Sequence, residues 1–455
     1  MRSFSLREVA QITGANFSGK DPGKDQWVTG VCVDSRNGKP GQLFIALKGE
    51  KVDGHYFIED AITKGCKAAI VELNYPYLHD QMELIKVADP LKALQQMAKA
   101  ALLKEKSQIV AVTGSVGKTT TKEMIGALLS PFYRTKVSPG NHNSQIGLPL
   151  TILNHTDGKE EIIVLEMAMS EAGQLANLIS IAPPDVAVLT AVGLAHASNF
   201  CSVEEIAFAK GEIFGFACTK LGIIAQNIPC YKEICQKTAY PMHSFAVNSL
   251  ADYTISSCSQ KLISHLENHC ISLKHFSLEG KHNLHNLLAA VAVARYFQLS
   301  WEAIEARLPF LKLPEKRFER VVKNNIVFIN DSYNACELSI KAALESLPQP
   351  TKGGKKIAVF GSLLELGAFS QECHFRIGQY ALEFVDECHC YGLECQPIVD
   401  LWKKKGRLAS LHSDFMSLME VLKKRICSYD VVLLKGSNQK KLWQVIDAFT
   451  NEDKR

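Results

Sequence analysis

The stretch Ile109-Val110-Ala111-Val112-Thr113-Gly114-Ser115-Val116-Gly117-Lys118-Thr119-Thr120-Thr121 decides how this chain folds. A β-branched apolar run, which reads as a buried strand, breaks into a glycine-bounded loop and then into a helix. That helix repeats Met124, Ile125, Leu128 and Leu129 at helical spacing. Gly114 and Gly117 let backbone N–H groups turn toward an anion with no Cβ in the way. Lys118 can reach terminal phosphates and the Thr119 hydroxyl can ligate Mg²⁺. The helix start, flanked by Ser115 and Thr120, adds its positive dipole end. A strand, a phosphate loop and a helix in this order predict a nucleoside triphosphate site in an α/β fold.

A chain of 455 residues predicts about three domains at ~150 residues each. Its 47% apolar and 22% charged content are those of a globular protein. The formal charge of +4 is small and scattered, which argues against a nucleic-acid surface. The Lys-Lys-Lys run at 403–405 reads as a solvated helix face. The first residues lack an apolar signal core, and no apolar run approaches the ~20 residues that cross a bilayer, so the expectation is a cytoplasmic protein with no membrane insertion. Its 14 cysteines then read as reduced thiols. The densest group, Cys388-His389-Cys390 with Cys395, has zinc-binding residue types without the two-residue gaps of a usual site.

In chain order, Ser5-Leu6-Arg7-Glu8 predicts a capped helix closed by Gly14. Strand-like runs follow at Val31-Cys32-Val33, Gln42–Leu47 and Ala68–Val71, and the helix from Pro90 to about Lys104 leads into the phosphate-loop domain. The Asn- and Gly-rich segment Pro139–Gly147 marks a loop. The strand Glu161–Met167 ends in Glu166, placed where α/β nucleotide folds hold Mg²⁺. A second strand, Pro184–Thr190, runs toward His196. Short strands with no assignable role fill 220–278, and then a helix opens with Asn283 and Asn286 three residues apart. A side-chain amide there can both accept from and donate to an adenine edge. Strands starting at 326, 357 and 431, interleaved with helices, predict a doubly wound, Rossmann-like last domain.

The general phosphate-loop pattern wants a glycine where Val112 stands. What remains, Thr-Gly-Ser-x-Gly-Lys-Thr-Thr-Thr-Lys, resembles the shortened loop of the Mur ligase family, ATP-dependent enzymes that join amino acids or peptides to the bacterial cell-wall precursor. The resemblance runs through nearly the whole chain in the family's order. It implies a UDP-sugar domain over 1–105 carrying Asp34-Ser35-Arg36 and Asp53-Gly54-His55, with Ser35 and Arg36 as substrate contacts. Over 106–312 it implies the ATP-binding domain. There Asn143 approaches the γ-phosphate, Thr119, Glu166 and His196 bind Mg²⁺, and a carbamylated Lys210 joins the metal. In that domain Gly-Lys-His-Asn-Leu-His-Asn places Asn283 and Asn286 at the adenine.

Over 313–455 the resemblance implies that Arg317 reaches the nucleotide, Asp331 holds the ribose, and Asn334, Lys435 and Ser437 meet the incoming substrate. Asp331-Ser332-Tyr333-Asn334-Ala335 points, within the family, to D-alanyl-D-alanine as the added group and UDP-MurNAc-tripeptide as the acceptor, acting in a monomer. The third residue of the tripeptide stays open between meso-diaminopimelate and lysine. The sequence departs from the family pattern at Ala168, Asn330, Cys336, Glu337 and Ser362. One rival reading is a relative adding a single amino acid; the departures motivate a second, a non-catalytic nucleotide-binding scaffold.

Overall fold

The computed structural model describes residues 1–17, 26–77, 79–195, 197–256 and 260–449. Near the N-terminus, Val31–Cys32, Leu43–Ile45, Ala68–Glu72 and Glu83–Val87 form a parallel sheet, with Asn16–Phe17 antiparallel on the edge of Glu83–Val87. The first helix, Leu6–Thr13, starts because the Ser5 hydroxyl accepts from the Glu8 N–H and ends at Gly14 with φ 65°. The helix Pro90–Leu103 has Asp89 as its cap and proline in its first turn, where the missing N–H costs nothing.

The central sheet has nine strands. Their order is His269–Ser272, Lys261–Ser264, Tyr253–Ser256, Met242–Val247, Leu221–Ala225, Val186–Leu189, Gln108–Thr113, Ile162–Glu166 and Thr135–Val137. The seven from Tyr253–Ser256 onward are parallel, and the first two close the edge antiparallel. The unassigned stretch 220–278 therefore widens the nucleotide sheet. Helices cover the parallel strands, which is why Val110, Ala111, Val112 and Ile162 to Leu165 read as unbroken apolar runs. Register sets the site: Glu166 lies opposite Val112 and Leu189 opposite Thr113, so the three strands end side by side.

The C-terminal sheet runs Glu319–Lys323, Ile326–Asn330, Val431–Lys435, Lys356–Gly361, Glu387–Tyr391 and Leu408–His412, parallel after its first pair. Arg2 stitches the chain's start to the central domain, donating to Ile152 O at 3.0 Å and Thr156 Oγ1 at 2.8 Å and pairing with Glu105. Among the described residues no helix is long and apolar enough to cross a membrane.

The cysteine group lies on the strand Glu387–Tyr391. Cys388 and Cys390 share one face with sulfurs 3.7 Å apart, while His389 turns to the other and bonds Ser410. Alternation along a strand separates the histidine from the thiols. Among the described residues no three such side chains converge on a metal position.

Glu387 opens the same strand and holds Lys355 at 2.8 Å and Arg425 Nε at 2.9 Å. Burial would raise its carboxyl, but the hydrogen bonds and charges of Arg425 and Lys355 overcome this and bring it down from 4.5 to about 2. A lowered carboxyl contributes stability above its unfolded value and loses it as pH falls through the folded one. The stability gap between wild type and Glu387→Gln in urea unfolding is expected to narrow as pH falls from about 4.5 toward 2. A gap that stays constant across that window would show that the cluster has no such effect.

Candidate active site

The ends of Gln108–Thr113, Ile162–Glu166 and Val186–Leu189 open into a cavity of about 670 Å³, at the position where open α/β sheets bind ligands. The central domain lines it with Ser115, Gly117, Lys118, Thr119, Thr120, Asn143, Glu166, Asn283 and Asn286, and the C-terminal domain with Arg317, Asp331, Asn334 and Lys435.

Gly117 has φ 85°, and a Cβ there would stand 2.4 Å from Asn286 Oδ1, so glycine is required twice over. The helix Lys118–Leu129 starts immediately after it, presenting its free N–H groups to the loop. The Lys118 Nζ folds back onto Gly114 O at 2.7 Å and Ser115 O at 3.4 Å. Burial lowers its pKa, the Glu166 carboxylate opposes this, and the Arg317 charge lowers it again.

Glu166 is 2% exposed and carries a hydrogen bond on each oxygen. The Thr119 hydroxyl donates to Oε2 at 2.8 Å and the Asn143 amide to Oε1 at 2.7 Å. A hydroxyl and a carboxylate in contact on a cavity wall are the hard oxygen donors that Mg²⁺ takes, so the residues present fit that ion.

Lys210, in the last turn of Val203–Gly211, is 2% exposed, and its amine has no hydrogen-bond partner among the described residues. Burial first, and then the Lys118 charge, push its amine well below the ordinary value. His196 lies outside the described residues.

Asn283 and Asn286 are buried at the start of Lys281–Tyr296 and bonded to each other, and Asn286 Oδ1 accepts from Thr121 at 3.3 Å. From the other domain, Arg317 lies 4.1 Å over the Tyr333 ring and donates to Thr119 Oγ1 at 3.1 Å. Asp331 accepts from Phe318 N at 3.1 Å and pairs with Lys435 at 2.8 Å. Lys435 also donates to Asn334 O at 2.6 Å, so it braces the loop holding both residues. Ser437 is buried nearby, with its hydroxyl unpartnered among the described residues.

Ser35 and Arg36 are not brought to this cavity. Ser35 is buried at the start of a short 3-10 turn, and Arg36 is exposed with its guanidinium on both Asp34 oxygens at 2.8 and 2.7 Å. Asp53 and His55, by contrast, line a separate cleft of about 580 Å³ with Tyr75, Tyr77 and His79. Sequence reasoning assigned no role to Asn227, His282 and His285, which line the main cavity. Asn227 follows the strand Leu221–Ala225 in a stretch with no motif to flag it.

The departures from the family pattern are absorbed within the chain. Asn330 donates to Glu319 at 3.1 Å and accepts from Ser332 at 2.6 Å. Glu337 pairs with Arg376 and Lys341, each at 2.8 Å, and Ser362 bonds Glu394 at 2.6 Å. Cys336 caps the helix Glu337–Glu345, its N–H held by Ser339 Oγ at 3.0 Å.

Two domains that share one cavity around a phosphate loop define the class: an enzyme that uses a nucleoside triphosphate. Three family models match in chain order: Mur ligase family, catalytic domain over 28–102, Mur ligase middle domain over 112–294, and Mur ligase, glutamate ligase domain over 316–438. The UDP-N-acetylmuramoyl-tripeptide–D-alanyl-D-alanine ligase of Bacillus subtilis (strain 168) is 34% identical, over 97% of both chains. The enzyme of that name from Escherichia coli (strain K12) is 30% identical, over 98% of both. The MurF ligase of Thermotoga maritima in complex with ADP superposes with a TM-score of 0.78 at 30% identity, covering 93% of this chain and 98% of that one. MurF from Acinetobacter baumannii, at 24% identity, shares the fold with a TM-score of 0.87 over 99% of this chain and 100% of that one. The chain belongs to the Mur ligase family.

Gly117→Ala is expected to keep the fold and weaken ADP binding more than about tenfold, since strain of 1–3 kcal/mol falls on the loop itself. Calorimetric titration with ADP checks this, and an unchanged affinity would contradict the cradle.

Proposed function

We propose that this chain joins D-alanyl-D-alanine to UDP-N-acetylmuramoyl-tripeptide with cleavage of ATP to ADP and phosphate, producing the pentapeptide precursor of peptidoglycan. The observation that carries the reading is the single cavity in which Lys118, Thr119, Asn143 and Glu166 face Arg317 and Asp331 of the next domain. The full-length likeness to enzymes named for this reaction supports the choice of substrates.

A free carboxylate does not form an amide unaided, because it lacks a leaving group. In this reading a terminal carboxylate oxygen of the tripeptide attacks the γ-phosphorus of ATP, the bond to ADP breaks, and an acyl phosphate forms. The neutral amine of the dipeptide then attacks the acyl carbon. Phosphate departs with the bonding pair and the amine gives up a proton. No protein nucleophile is needed. Lys118 and Asn143 are the donors available to the transferring phosphoryl group, in a partly buried site where their charge and dipoles act strongly. Thr119, Glu166, His196 and a modified Lys210 would hold Mg²⁺, which would supply charge neutralisation on the phosphates. Asn283 and Asn286 suit the adenine edge and Asp331 the ribose hydroxyls. Arg317, already bonded to Thr119, couples nucleotide binding to domain position.

Closure also keeps water from the acyl phosphate. The backbone bond from Ser198 N to Glu365 O, 2.9 Å, joins the two domains. We assign residues 1–105 to the UDP-sugar, with Ser35, Arg36 and the Asp53–His55 cleft as its contacts, 106–312 to ATP, and 313–455 to the ribose and the dipeptide, with Asn334, Lys435 and Ser437 near the latter. A site complete within one chain supports a working monomer, and its free cysteines and ATP requirement fit the cytoplasm. The scaffold alternative loses ground because the departures are all satisfied locally while the phosphate-loop residues are intact.

Lys210 carries a second reading. Carbamylation needs a neutral amine to attack CO₂, and burial beside Lys118 favours that form. A carbamate there would replace a cation that repels Mg²⁺ with an anion able to bind it.

Phosphate release by the purified protein with ATP, Mg²⁺ and UDP-MurNAc-tripeptide is expected to depend on D-alanyl-D-alanine and not on single amino acids. Lys118→Ala should lower kcat by about 10²–10³-fold. Release driven by a lone amino acid would reassign the substrate. With ¹³C-bicarbonate, a carbamate carbon resonance is expected in the wild type and not in Lys210→Arg. It should weaken as pH falls, because protonation removes the reactive amine. Identical spectra for the two proteins would remove the carbamate from the account.

A further inference from the structure

Lys122 closes the motif Thr-Gly-Ser-x-Gly-Lys-Thr-Thr-Thr-Lys, yet it stands a full turn beyond the residues that face the phosphates. Its side chain is fully buried, an unusual place for a lysine without partners. It has several. The Nζ donates to Ser138 O at 2.6 Å and to Gly140 O at 3.1 Å, and it lies 3.2 Å from Glu123 Oε1 and 3.9 Å from Glu166 Oε2.

One turn further along the helix, Gly126 explains how it reaches them. A Cβ on Gly126 would stand 2.4 Å from Val137 Cγ2, so the missing side chain lets the helix lie directly on the strand Thr135–Val137. Ser138 follows that strand, and the close approach brings its carbonyl to Lys122.

The clamped segment is the one that shapes the metal side of the cavity. Ser138 Oγ accepts from Glu166 N at 3.1 Å, and Asn143, three residues past Gly140, donates to the Glu166 carboxylate and accepts from Ala168 N at 2.8 Å. Lys122 thus holds both ends of one arrangement: the loop that bears Asn143, and the carboxylate that Asn143 and Thr119 orient.

We propose that Lys122 is a positioning residue for the Mg²⁺-nucleotide site, fastening the loop 138–143 to the phosphate-loop helix so that Asn143 and Glu166 keep the geometry the metal requires. It touches neither substrate nor metal and acts through those two residues. The inference rests on the ATP site proposed above and not on the identity of the peptide substrates.

The test is nucleotide binding, which needs no peptide. ADP affinity of the full chain is titrated against Mg²⁺ for wild type, Lys122→Met and Lys122→Arg, with a thermal melt to establish that each is folded. Lys122→Met is expected to raise the Mg²⁺ concentration for half-maximal enhancement about tenfold while changing metal-free ADP affinity less than about twofold, and Lys122→Arg to recover most of the loss. A folded Lys122→Met with wild-type Mg²⁺ dependence overturns the proposal, as does an equal loss with and without metal, which a general packing defect produces. If Lys122→Met does not fold, Lys122→Gln, which keeps a donor for one carbonyl, takes its place under the same criteria. Wild-type protein that binds Mg²⁺-ADP but forms no peptide product would reject the substrate assignment and leave this comparison intact.

Discussion

One buried carboxylate organises the site. Glu166 sits at the end of a fully buried strand, and burying an ion without partners is strongly unfavourable. The chain answers with a hydroxyl from the phosphate-loop helix, an amide from the loop 138–145 and the nearby Lys122. Each partner arrives on a different element, so satisfying one charge brings helix, loop and strand into register. The same demand that makes the carboxylate costly to bury makes its surroundings specific, because the cost is offset only where all three elements meet.

The second domain is attached to this centre by few but well-directed contacts. Arg317 shares Thr119 with Glu166, and its guanidinium lies over the Tyr333 ring. Lys435 ties Asp331 and Asn334 together from the adjacent strand, so the nucleotide-facing loop of this domain is braced by a side chain at its own sheet's end. Four of the residues that depart from the family pattern, Asn330, Cys336, Glu337 and Ser362, lie in this domain and keep their polar groups paired. That local satisfaction is why the changes at Asn330, Glu337 and Ser362 leave the cavity formed.

Much of this was legible in the chain itself. The phosphate loop, the acid at the end of the next strand and the paired asparagines of a later helix are each carried by a local pattern of apolar period, glycine and polar residue, and such patterns survive without knowledge of the fold. The stretch 220–278 was opaque for the opposite reason. Its strands are short, with little alternation, and only their neighbours identify them as the extension of the nucleotide sheet. The cysteine group on the strand Glu387–Tyr391 shows the same limit, since spacing along the chain lists thiols and imidazole together while the pleat sends them to opposite faces.

Local sequence determined the α/β class, the phosphate loop and the family, because these depend on residues adjacent in the chain and on the order of motifs. Tertiary structure alone decided that Lys122 belongs to the site, that Lys435 braces a loop, and that Ser35 and Arg36 stand away from the main cavity while Asp53 and His55 border a cleft of their own. The reason is packing: Lys122 meets Ser138 only once its helix lies on the strand that follows it, and Lys435 meets Asn334, 101 residues away, only after their strands are laid side by side, and no pattern within a single segment encodes either meeting.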